Sequence, residues 1–121
     1  MRILLAAVAM TASLALPAMA AEPDAYMINN AGDLVNLCDD PSNQSAIHMC
    51  HGYLMGVHHM YVGIAESHEV DIYCIPRDTE MTRDEFVAQF VTWADAKPEV
   101  AQVSARDALL TFAGEVFPCS Q

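Results

Sequence analysis

The sequence predicts an all-α domain: a small disulfide-linked bundle of about four helices, joined in one place by a short extended connection at Cys74-Ile75-Pro76. Three observations carry this expectation. Apolar residues recur at alternating steps of three and four in separate segments, the period of a helix with one buried face. Capping and turn residues divide those segments. Four cysteines, an even number, lie among them, and an even number in an oxidising compartment reads first as disulfides.

The compartment follows from the N-terminus. Met1-Arg2 gives a positive start, Ile3 to Leu16 is interrupted only by Thr11 and Ser13, and Ala18-Met19-Ala20 offers an A-x-A cleavage signal. Residues 1–20 are expected to be a signal peptide cut after Ala20, too short and too small-residue-terminated for a spanning helix. Sixteen of those twenty residues are apolar, which explains much of the 54% hydrophobic content of the 121-residue chain. The remainder has an ordinary globular fraction and no second apolar run that would make a membrane span. The chain carries 16 acidic and 5 basic side chains, a net charge of -11. Losing Arg2 with the leader makes the exported chain one unit more negative. Such a balance argues against nucleic acid as partner, since that binding depends on Lys and Arg neutralising phosphates.

In chain order, residues 21–30 read as a flexible acidic lead-in, and residues 31–121 as the helical domain. Asn29 or Asn30 can cap a first helix with Leu34, Leu37 and Cys38 on one face. The cluster Asp39-Asp40-Pro41-Ser42-Asn43 ends it. A long helix follows from about Gln44 to Ser67, with Ile47, Cys50, Leu54, Val57, Tyr61 and Ile64 on one stripe. Gly52, Gly56 and Gly63 fall on the opposite side, flanked by Met49 and Met60. Each glycine costs about 1 kcal/mol of helix propensity relative to alanine. Three on one face predict close approach of another backbone, with the helix covered on both sides, inside a bundle or in a dimer; the alternative is that small residues merely relieve local crowding.

Val70 to Pro76 reads as extended, because β-branched residues and proline oppose helix. Thr82 and Glu85 have capping-box spacing and start a helix carrying Phe86, Phe90 and Trp93, with Val87 and Ala94 beside them. Lys97-Pro98 stops it. A last helix from about Ser104 to Phe117 presents Ala105, Ala108, Leu109, Phe112, Ala113 and Val116. An up-down order of short-linked helices brings Cys119 near Cys74 and leaves Cys38 across a turn from Cys50. Among the three pairings that four cysteines allow, this favours Cys38–Cys50 and Cys74–Cys119.

Chemistry is sparse. The five histidines, His48, His51, His58, His59 and His68, share a methionine-rich segment, and thioether with imidazole suits copper. However, His51 and His58 stand about 10 Å apart along a helix, too far to share one ion unaided. Solvated His48 and His59, with His51 and His58 bordering the core, are the simpler expectation. No metal site, cofactor or catalytic residue is assigned. G-x-S-x-G, H-E-x-x-H and phosphate-loop patterns are missing, so a non-enzymatic protein is expected.

Several local signatures recur together: Gly32-Asp33-Leu34 with Leu37-Cys38, Cys50-x-Gly52-Tyr53-x-x-Gly56, Cys74-Ile75-Pro76, Lys97-Pro98-Glu99 and Phe117-Pro118-Cys119. In this order and spacing they resemble the Rap/Tai family of type VI secretion immunity proteins, over about Gly32 to Cys119. The sequence departs from many members at His58-His59, where an acidic residue is expected. The resemblance implies a periplasmic helical protein, often a homodimer, that binds a secreted peptidoglycan amidase and blocks its active site. It carries over only structural positions: the four cysteines, Gly52, Tyr53, Gly56, Pro76 and Pro118. A basic partner suits the acidic chain, because charge complementarity speeds encounter. The competing expectations are a periplasmic acid-stress chaperone, switched through histidines and carboxylates, and a metal-handling protein.

Overall fold

The computed structural model describes residues 23–120 apart from Arg77 and Thr79; the expected signal peptide and its cleavage after Ala20 lie outside the described residues. Asn30 and Asp33 begin the helical fold. The Asn30 side chain accepts from the Asp33 amide at 2.9 Å, and the Asp33 carboxylate accepts from the Asn30 amide at 3.3 Å. This reciprocal capping box starts α1 (Ala31–Cys38). Asn43 caps α2 (Gln44–His68), and Thr82 with Glu85 forms a second capping box at the head of α3 (Arg83–Asp95). Ser104 caps α4 (Ala105–Val116) through the Asp107 amide at 3.2 Å. The four helices fall where the sequence places them, Asn30 and Thr82 cap as expected, Asn43 and Ser104 supply the other two caps, and no strand occurs among the described residues.

The shortest α-helix is the hub. α1 packs against α2, α3, α4 and a 3-10 helix at Pro98–Gln102. Leu34 is wholly buried, beside Leu37 and Cys38. Around it, Phe90 of α3 and Phe112 of α4 meet edge to face at 5.6 Å, with Phe86 and Phe117 stacked nearby. Such aromatic pairs add to the energy of burial itself. Pro98 stops α3, as its missing donor and fixed φ require, but the chain turns at once into the 3-10 helix. Ala31 donates its amide to the Val103 carbonyl just beyond it, at 2.8 Å. The lead-in also contains a 3-10 turn, Pro23–Tyr26, and Tyr26 and Ile28 pack on the core.

Two disulfides fasten this arrangement, Cys38–Cys50 and Cys74–Cys119, and no described cysteine is free. The pairing is the one the up-down order favours. Cys38–Cys50 is buried and ties α1 to α2 across the turn. Cys74–Cys119 lies nearer the surface and ties the extended connection to the C-terminus. In the chain-entropy account the closed loops are worth about 3 and about 4 kcal/mol.

Two expectations about α2 need correction. No other part of the described chain covers its glycine side: an added Cβ at Gly52, Gly56 or Gly63 meets nothing within 4 Å. The intramolecular half of the expected close approach is therefore wrong. Ile64, placed on the buried stripe, is 50% exposed, although Tyr61, Val62 and Ala65 around it still meet the core, so it lies at the edge of the buried face.

Candidate functional site

Three features of the surface are built by identifiable residues: an anchored acidic connection, a cavity beneath it, and the open face of α2. The connection begins at Glu69, whose left-handed backbone (φ 52°) ends α2. Val70 and Ile72 are exposed hydrophobics at 50% and 45%. Glu69, Asp71, Asp78 and Glu80 are exposed along the same stretch. The segment is held from below. The Tyr61 hydroxyl accepts from the Ile72 amide at 2.8 Å and donates to the Tyr73 carbonyl at 3.2 Å, and the two tyrosine rings stack at 4.3 Å. Cys74 donates its amide to the Phe117 carbonyl at 2.8 Å. A Cβ on Gly114 of α4 would sit 3.3 Å from the Ile72 carbonyl, so the connection crosses α4 at the one point where a side chain is missing.

Tyr73 also reaches α2, its hydroxyl 2.7 Å from His58 Nδ1. Burial pushes the Tyr73 phenol up to about 12, with Tyr61 adding to the shift. Burial, and then the neighbouring His59, holds His58 below the ordinary histidine value. A neutral ring lets the phenol donate to Nδ1, and the ring proton then sits on Nε2. His51 is different. Its Nε2 lies 3.2 Å from an Asp84 carboxylate oxygen, yet the approach lacks hydrogen-bond geometry and this buried nitrogen has no partner. His48, His59 and His68 are exposed.

Tyr73, His58 and His51 border a cavity of about 190 Å³. Leu54, Val87, Leu109 and Ala113 form apolar wall together with Phe86 and Ile75, and Tyr73, His51, Met55, Met81 and Arg83 also line it. Among the described residues no group of three His, Cys, Asp or Glu is arranged to hold a metal ion.

The open face of α2 has its own character. From Gln44 to Ala65 the helix contains no Asp, Glu, Lys or Arg, in a chain with 21 such residues. Around the three uncovered glycines, Met49, Met60 and Ile64 are 43%, 46% and 50% exposed. An uncharged, partly apolar helix side of this length is the kind of surface proteins cover with a partner. It is not a membrane span, since no helix among the described residues is long and apolar enough to cross one.

The residues singled out in the sequence do not converge on one site. Gly52 and Gly56 lie on the open face of α2. Tyr53 sits on its flank near Arg106 and Asp107, where burial pushes its phenol up. Pro76 and Pro118 are exposed beside Cys74 and Cys119, at the two ends tied by that disulfide. What sequence reasoning missed is the bracket of Tyr61, Tyr73 and His58, the Gly114 crossing, and the cavity. Glycine inside the last helical pattern was the available signal for the crossing. Residues 30–119 match the family model of the Rap1a immunity proteins, whereas no curated protein and no solved structure matches the chain.

Proposed function

The chain belongs to the Rap1a immunity protein family, and from that premise we propose that it protects its producer in the periplasm by binding and occluding a peptidoglycan amidase delivered from outside. Membership makes it an immunity protein against a secreted effector. Its two disulfides and lack of free thiols among the described residues suit an exported chain.

The single observation that carries the finer reading is the segregation of charge between two surfaces. The segment from Glu66 to Glu85 holds seven acidic residues and only Arg77 and Arg83 as bases. With Val70 and Ile72 exposed among the acids, it offers apolar anchors inside a negative field. That combination suits a basic enzyme whose own substrate, the cell-wall polymer, is anionic. The uncharged side of α2 suits a second copy of this chain. Two strongly acidic copies repel, and the face that costs least to join is the one without charges. Glycines let two helices approach closely about a two-fold axis, as an isologous dimer requires.

The test is protection in cells. An amidase encoded beside this protein, directed to the periplasm, is expected to lyse cells alone and to be harmless with the exported protein. The same protein without residues 1–20 is expected to give no protection. Lysis despite a correctly exported, oxidised protein would contradict the proposed function.

A further inference from the structure

We propose that the cavity between α2, α3 and α4 is a binding site for a short amphiphilic carboxylate, its tail among Leu54, Val87 and Ala113 and its acid group at Arg83 and His51. This goes beyond the immunity reading and does not depend on it. At about 190 Å³ the cavity exceeds the roughly 150 Å³ that suffices for a benzene ring. It therefore takes an aliphatic chain of about five to eight carbons, or one aryl group. The wall is apolar where the tail would lie: Leu54, Val87, Leu109 and Ala113 are all buried core residues.

Two polar groups of the lining, Arg83 and His51, also share an adjoining hollow and so stand near each other, whereas Tyr73 and His58 are already paired at 2.7 Å. Three cationic side chains occur among the described residues outside histidine: Arg83, Lys97 and Arg106. Lys97 pairs with Glu115 and Arg106 with Asp107. Arg83, next in sequence to Asp84 and Glu85, forms no ion pair among the described residues and instead lines the cavity. A guanidinium is shaped to bind a carboxylate with two parallel hydrogen bonds. His51 adds a buried Nε2 that lacks a partner, and a buried polar atom without one calls for an explanation. One carboxylate competes for this place, that of Asp84. It approaches His51 to 3.2 Å without hydrogen-bonding it, and its side chain is 84% exposed, so it can swing into water when an acid group takes the nitrogen. The Thr82 hydroxyl is already engaged with Glu85 at 2.9 Å and stays a bystander.

The experiment titrates the exported, oxidised protein with sodium hexanoate and follows backbone amide and histidine ring resonances. Hexanoate is expected to give saturable shifts at Leu54, Val87, Ala113 and His51. Acetate, which lacks the tail, should give none, and hexanol, which lacks the acid, should bind at least about tenfold more weakly. Arg83→Gln should remove that preference while leaving hexanol binding unchanged. Ala113→Leu should abolish binding by filling the cavity. If that variant unfolds, Met55→Trp closes the cavity from its rim and serves instead. Absence of saturable shifts with hexanoate, equal binding of hexanol, or indifference to Arg83→Gln each overturns the proposal. So does the outcome in which hexanoate fails while Met55→Trp abolishes capture of a protein partner. The cavity would then be a socket for an apolar side chain of that partner.

Discussion

The open side of α2 and the connection that follows it differ in every respect that decides a partner. One is regular helix, without Asp, Glu, Lys or Arg from Gln44 to Ala65, and lined by glycines with free space above them. The other is irregular, acidic, and studded with exposed Val70 and Ile72. Yet they are joined from within. Tyr61 and His58, on the inner side and flank of the same helix, hold the connection in place. The difference teaches that one helix serves two proposed interfaces, presenting a neutral face directly and positioning a charged segment at second hand. The inner face of α2 is devoted to the fold, and the rest of the helix is free to carry function.

The largest effect is expected from Gly56→Arg. Nothing lies within 4 Å of the new Cβ, so the monomer should fold normally. A guanidinium buried between two copies is costly. Dimer dissociation, followed by analytical ultracentrifugation, should become at least about a hundredfold easier. Retained dimer would remove α2 as the seam. Next is the reverse manipulation, Asp71→Lys with Glu80→Lys. Both positions are exposed, so stability and self-association should hold. Association with a basic effector should slow by about tenfold at low salt, and the difference should shrink as salt rises. An unchanged association rate would detach the acidic connection from recognition.

Gly114→Val examines the link between the two regions. Its Cβ would stand 3.3 Å from the Ile72 carbonyl with two methyl groups beyond. It should cost about 1–3 kcal/mol in chemical denaturation and weaken effector binding without loosening a dimer. The smallest effect concerns acid. The His58 value is depressed by burial and by His59, so the folded state resists protonating this ring. Its contribution is fully present above the ordinary value of 6.5 and is lost as pH falls from there through the lower folded value. A protonated ring also cannot accept at Nδ1. Thermal unfolding midpoints should therefore fall between about pH 7 and pH 5, and less steeply in His58→Gln; identical slopes would absolve His58.

The helices were legible from their apolar period and from two caps, Asn30 and Thr82 with Glu85; Asn43 and Ser104, read as a turn residue and a helix start, turn out to cap as well. The disulfide partners were legible once helix order was known. The 3-10 helix at Pro98–Gln102 escaped, since proline ends an α-helix but equally opens a tighter turn. The glycines of α2 were visible as a pattern, but periodicity reports only that a face lacks side chains. It does not say whether the neighbour belongs to the same chain. Gly114 shows the complementary failure: a lone glycine in an apolar pattern gives no hint that the Ile72 carbonyl lies above it. The cavity and the Tyr61 bracket come from residues brought together across α2, α3 and α4, and no local pattern encodes that.

The most direct measurement is residual amidase activity on purified peptidoglycan as the oxidised, exported protein is added to the cognate effector. Occlusion predicts loss of activity in proportion to inhibitor added, complete near equivalence, with faster onset at low salt than at high salt. Full activity in about tenfold molar excess of folded protein would contradict inhibition by binding.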